Sequence, residues 1–170
     1  VDSGQVLALS EPGVPYTAAG FVHGIAGQDG PEPAFVASLA FDGRLVRGNP
    51  ILPTGTALSS QIGLDVSVWA DVVKRDDSLL AMHIPEGGGM TLERCRESLV
   101  SALPFFARHF PEAPVKGVMC GSWIFSPEYE SFYSPEANVG RLQREVYLFP
   151  LRSSVRVGVY FVFDRDGYCE

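Results

Sequence analysis

The chain has 170 residues, of which 46% are hydrophobic and 19% charged, a globular balance that supports a real core and argues against disorder. Thirteen Lys and Arg stand against 20 Asp and Glu, a net charge of −7, and no basic run occurs, which speaks against a nucleic-acid binder. An anionic ligand would need a local positive patch to overcome that field.

The three cysteines, Cys95, Cys120 and Cys169, are odd in number and lack C-x-x-C spacing, so neither a disulfide framework nor a zinc site is expected. Reduced thiols in a cytoplasm are the simplest reading. No apolar run has membrane-spanning length, and no leader is visible. The expectation is a soluble cytoplasmic protein with no membrane and no metal. The chain starts at Val1 rather than Met, as a piece of a longer protein would.

Residues 1–16 read as a linker or edge strand. Thr17–Ile25 and Phe35–Phe41 are apolar runs with aromatic and β-branched residues, hence strands, separated by the punctuation Gly27-Gln28-Asp29-Gly30-Pro31. Asp42-Gly43, before Arg44-Leu45-Val46, predicts a tight hairpin, because such a turn needs positive φ. Asn49–Gly55 is expected to leave the sheet, since its prolines cannot donate to a ladder. Gly63–Val73 reads as a short strand turning into a brief helix, and Lys74–Asp77 as a solvated turn.

The clearest unit follows. Ser78–Ile84 is a strand and Pro85–Met90 a Gly-rich loop. Thr91–Phe110 is an amphipathic helix with Thr91 as N-cap. Its stripe is Leu92, Cys95, Leu99, Leu103 (or Ala102), Phe106 and Phe110, with a kink expected at Pro104. Val115–Phe125 is a second strand, parallel to the first, as crossovers dictate. Pro127–Tyr133 is a short helix with proline in its first turn. Gln143–Phe149 and Val155–Phe163 read as a closing hairpin. The fold class is therefore mixed α/β: a mostly antiparallel sheet around a β-loop-α-β unit, in a single domain spanning 1–170.

Four segments carry a family resemblance: Leu79–Leu99 (LLAMHIPEGGGMTLERCRESL), Phe105–Glu112, Cys120–Glu128 (CGSWIFSPE) and Asn138–Pro150. They resemble the GNAT-like C-terminal domain of bacterial acyltransferases. The resemblance implies the GNAT acyltransferase fold, an acyl-coenzyme A co-substrate such as acetyl-CoA, and acyl transfer to an amine acceptor. It also implies an N-terminal acyltransferase domain preceding this one in the same protein.

Under that resemblance, Gly87, Gly88, Gly89, Met90 and Thr91 would hold the cofactor's pyrophosphate. A helix start leaves N–H groups unpaired, its dipole favours an anion, and glycine lets backbone approach phosphate. Ile84 stands where the wider GNAT signature has Gln or Arg, and Glu86 and Glu93 flank the site. The tight strand-to-helix connection is the competing explanation for the glycines.

Acyl transfer needs a base and an acid. His83, at the end of the central strand, or Glu86 would be the base. Tyr129 or Tyr133, after the next strand, would be the acid, with ring packing as the alternative role. Cys120 lacks the cationic neighbour a reactive thiolate needs, and Ser122 lacks a nucleophile elbow. The histidines His23, His83 and His109 show no ligand spacing. Arg141, Arg144, Arg152 and Arg156 fall in the expected C-terminal strands, suited to an acidic partner, the cofactor's 3′-phosphate or plain solvation. Two other functions stay open: a degenerate, non-catalytic module packing on another domain or subunit, and a small-molecule binder without turnover.

Overall fold

The computed structural model describes residues 4–24, 32–84 and 90–151. Within it the chain divides into two compact units, residues 1–68 with 147–170, and Trp69–Val146. The class is the mixed α/β one expected. Among the described residues three small sheets are antiparallel, and one strand pair is parallel.

In the first unit, β1 (Ala8–Leu9) pairs with β6 (Pro50–Ile51), and β2 (Pro15–Tyr16) with β3 (Phe35–Val36). β4 (Leu39–Phe41), β5 (Leu45–Gly48) and β7 (Ile62–Asp65) form a three-stranded antiparallel sheet. The β4–β5 hairpin turns at Asp42-Gly43 as its sequence requires. Gly43 has φ +95°, and the Asp42 carboxylate accepts from the N–H groups of Arg44 (3.0 Å) and Leu45 (2.8 Å). Those bonds, Leu45 first, hold the Asp42 carboxyl below its ordinary range, with Arg47 adding to them.

Three expectations in this unit are corrected. Thr17–Ile25 is not a strand: Thr17 to Phe21 closes a tight turn, with Thr17 N–H donating to Phe21 O at 2.8 Å and Gly20 N–H to Thr17 O at 3.0 Å. Ile25 itself lies outside the described residues. The run Phe35–Phe41 is split, because Asn49 Oδ1 accepts from Ser38 N–H at 3.0 Å and separates β3 from β4. Asn49–Gly55 leaves the β4–β5–β7 sheet but does not leave sheet structure, since Pro50–Ile51 joins a second ladder with β1. Pro50 occupies a ladder position in β6, where it needs only its carbonyl, which accepts from Leu58 N–H at 2.9 Å.

The core of the first unit is Tyr16, Ala37, Ile51 and Ala57, lined by Ala8, Val14, Val22, Phe35 and Tyr147. Its polar groups are paired. Tyr16 and Ser10 share a buried hydrogen bond of 2.7 Å, and burial pushes the Tyr16 phenol up. The Tyr147 hydroxyl accepts from Ala8 N–H at 3.1 Å and donates to Ile51 O, tying the edge strand to the core. Asn49, 2% exposed, also donates to Leu58 O and Ser59 O at 3.0 Å each.

β7 ends at Asp65, and no helix follows. Asp65 Oδ1 takes both the N–H (2.9 Å) and the hydroxyl (2.7 Å) of Ser67. That local turn wins over helix continuation, and it leaves Val68 and Val72 exposed. In the second unit, Lys74–Asp77 is the expected turn, closed by Lys74 N–H to Asp77 Oδ2 at 2.9 Å.

β8 (Leu79–Ala81) and β9 (Gly117–Met119) are parallel, with Leu79 opposite Gly117 and Ala81 opposite Met119. The crossover between them carries α1 (Leu92–His109). Both strands are shorter than their apolar runs. Beyond Met119 the chain winds into 3₁₀ turns at Trp123–Phe125 and Pro127–Phe132, the second being the expected short helix in tighter form.

The inward stripe of α1 runs through Cys95, which is buried, and Leu92, Leu99, Ala102 and Phe106, which are half-buried. Ala102, not Leu103, takes the inner position, and Phe110 is exposed. Gln143–Phe149 is not a strand: Gln143 is the last residue of α2 (Asn138–Gln143), a turn follows, and Leu148 makes one isolated bridge to Thr54. The helix α2 packs against α1 and the Trp123–Phe125 turn, burying Leu142 and Gln143. Arg141 and Arg144 therefore sit on or beside a helix, not in strands. Val155–Phe163, Arg152, Arg156 and Cys169 lie outside the described residues.

Candidate functional site

The second unit contains every described candidate for chemistry. β8 alternates as a strand should. Leu80, Met82 and Ile84 are half-buried, while Leu79, Ala81 and His83 form the more exposed face. Thus His83 is an exposed histidine at the strand end, and no hydrogen bond or ion pair engages it among the described residues.

The β8–β9 ladder stops at the same point. Its last bond is Met82 N–H to Met119 O at 2.7 Å. Beyond it, His83 and Ile84 continue towards the loop, and Cys120 to Ser122 lead to the first 3₁₀ turn. Gly87, Gly88, Gly89 and Glu86 lie outside the described residues.

The helix start is described from Met90 onward. Thr91 is the N-cap, with its hydroxyl accepting from Arg94 N–H at 3.3 Å, as Thr at that position predicts. No acceptor within the protein engages the N–H groups of Met90, Thr91 or Leu92 among the described residues. Three consecutive donors at the positive end of an 18-residue helix fit a phosphate group.

One carboxylate competes for that place. Glu93, in the first turn, is held below the ordinary carboxylate range. Its own backbone N–H is the largest cause, followed by Arg141, the Thr91 hydroxyl and Arg96. Arg141 Nη2 stands 3.7 Å from Glu93 Oε1. Next to it Arg96 and Glu145 pair at 3.1 Å. These contacts fasten α2 to the first turns of α1, and the strand expectation for Gln143–Phe149 concealed them.

The two candidate tyrosines do different things. Tyr133 donates its hydroxyl proton to Ile124 O at 2.7 Å, and burial pushes its pKa up. Tyr129 is more exposed, and its ring packs edge-on against Trp123 (centroids 6.0 Å) and Phe132 (6.4 Å). No hydrogen bond joins His83 to either tyrosine among the described residues. Gln143, 5% exposed, was not singled out by its sequence. Its amide donates to Phe125 O and Ser126 O at 3.3 Å each, pinning the junction between the two 3₁₀ turns.

Cys120 is half-buried, and burial, with Cys95 nearby, pushes its thiol up, the opposite of nucleophile activation. Among the described residues no cluster of three His, Cys, Asp or Glu could hold a metal, and no helix is long and apolar enough to cross a membrane.

The model of the GNAT-like C-terminal domain matches residues 37–169. No curated protein and no solved structure matches the chain significantly. The matched span covers the parallel strand pair, the crossover helix and the open amides at its start. The chain belongs to the GNAT-like C-terminal domain family, within the GNAT acyltransferase superfamily.

Proposed function

We propose that this domain transfers an acyl group from an acyl-coenzyme A, such as acetyl-CoA, to an amine. The observation that carries the reading is the row of open amides Met90, Thr91 and Leu92 at the start of α1. The row directly follows the loop that leaves β8 at the point where its pairing with β9 ends. Those amides, with Gly87, Gly88 and Gly89 before them, would hold the diphosphate through hydrogen bonds that gain from the helix dipole.

Bound acyl-CoA supplies a thioester, whose acyl carbon an amine can take with release of the thiol. His83 is the residue suited to accept the proton the amine sheds, because its imidazole is exposed and has no competing partner among the described residues. Glu86, on the loop, is the second candidate for that proton. Tyr129 is the better proton donor to the departing sulfur, since Tyr133 has its proton committed to Ile124 O.

Glu93 favours a second reading. Its carboxylate already faces the helix start, and Ile84 replaces the expected Gln or Arg. A degenerate domain that packs on an N-terminal acyltransferase domain or another subunit would tolerate both.

Calorimetry with acetyl-CoA separates the two. The transferase reading expects saturable binding and, with an amine present, release of free thiol. Folded protein that gives no heat at millimolar ligand would contradict it and leave the module reading.

A further inference from the structure

After β9 the chain presents three aromatic side chains to solvent, while Phe125 of the same segment is buried. Trp123 is 50% exposed, Tyr129 40% and Phe132 80%. Such rings are costly to leave wet without a use. They touch edge to face, Trp123 to Tyr129 at an interplanar angle of 84° and Tyr129 to Phe132 at 62°. Each edge-to-face contact covers one face of one ring and leaves the others available, and an aromatic face is electron-rich.

The backbone beneath them is pinned from both sides. The Tyr133 hydroxyl bonds Ile124 O, and the Gln143 amide bonds Phe125 O and Ser126 O. Two carboxylates stand beside them without an ion-pair partner among the described residues, while the guanidinium of Arg144 is engaged by Pro135 O at 3.0 Å. Glu128 and Glu130 are exposed on the turn that carries Tyr129 and Phe132, and no Lys, Arg or His occurs between Lys116 and Arg141.

Electron-rich faces next to carboxylates are complementary to an organic cation, and an acyl chain or an anion would gain nothing from the carboxylates. We propose that the surface of Trp123, Tyr129 and Phe132, flanked by Glu128 and Glu130, binds an alkylammonium cation, the protonated form of the acceptor amine. Its naming as acceptor rests on the transferase reading above; its binding does not. The surface holds the ammonium form by cation–π and charge attraction, and the amine becomes a nucleophile only after it has lost a proton to a base.

Equilibrium dialysis of the full chain with 1,4-diaminobutane, against the neutral isostere 1,4-butanediol, tests this. The diamine is expected to bind saturably and the diol not at all. Trp123→Leu should weaken the diamine by roughly three- to tenfold. Glu128→Gln with Glu130→Gln should weaken it similarly and flatten its salt dependence. Phe132→Ala, at an exposed position, gives a second ring variant that leaves folding intact. Equal binding of diol and diamine, or diamine binding indifferent to these variants, overturns the proposal. Diamine binding without acetyl-CoA binding would leave this site standing and remove the transferase; acetyl-CoA binding without diamine binding would do the reverse.

Discussion

Arg141 of α2 stands 3.7 Å from Glu93 in the first turn of α1, so the helix start proposed to receive a diphosphate already faces a paired carboxylate of its own. A phosphate must enter beside that negative charge. Glu93→Gln should therefore strengthen acetyl-CoA binding, by about two- to fivefold at low salt, with a smaller gain at high salt. Titration calorimetry at two salt concentrations measures it. Weaker binding in the variant would mean that the carboxylate helps to shape the site.

Asn49→Ala tests how the first unit is organised. The buried amide serves Ser38 N–H, Leu58 O and Ser59 O, and alanine leaves all three without that partner. The expected loss is roughly 3 kcal/mol of unfolding free energy, measured by urea denaturation. A loss under about 1 kcal/mol would show that solvent reaches these groups freely.

Gly20→Ala should be as damaging for a different reason. Gly20 has φ +81°, and a Cβ there would fall 2.2 Å from Ala57 O. The backbone at 56–57 must move, with an expected cost of about 2–4 kcal/mol. Thermal unfolding followed by circular dichroism reads the change.

The hairpin turn makes an acid-sensitive contribution. The Asp42 carboxyl is lowered in the folded chain by the N–H groups of Leu45 and Arg44. A lowered group stabilises the fold above its unfolded pKa, about 3.9, and that stabilisation is lost as pH falls through the lower folded value. Asp42→Asn keeps a side-chain acceptor for the turn but cannot titrate. Its stability at pH 7 should fall below wild type by the share that the charge contributes, and its pH dependence below about 4 should be shallower, so that the two proteins converge in acid. An unchanged acid limb of the unfolding curve would remove Asp42 from that role.

Much of this architecture could be read from residues. Asp42-Gly43 fixed a turn because few residues accept φ near +95°, and Thr91 marked a helix start because its hydroxyl replaces a missing carbonyl. The β-loop-α-β order predicted the parallel pair because a helical crossover returns the chain to the end where the first strand began. Misread segments were those where a side chain overrules local pattern. Asn49 splits Phe35–Phe41, and Asp65 with Ser67 stops a helix that the following valines suggest.

Asn138–Gln143 is helical because it covers α1 and buries Leu142, a tertiary gain that no local preference reveals. The proposed site was legible as a loop and a helix start. Its neighbours, Arg141 and Gln143, were not, because their roles depend on α2 being a helix. The aromatic surface left one sequence trace, the run without cations from Lys116 to Arg141.

The most direct test follows the backbone amide resonances of Met90, Thr91 and Leu92 by ¹H–¹⁵N NMR as coenzyme A is added. Saturable shifts centred on these three amides and the loop before them are predicted, with little change in the resonances of the first unit. Spectra that stay unchanged up to millimolar coenzyme A, from protein that is demonstrably folded, would contradict the account.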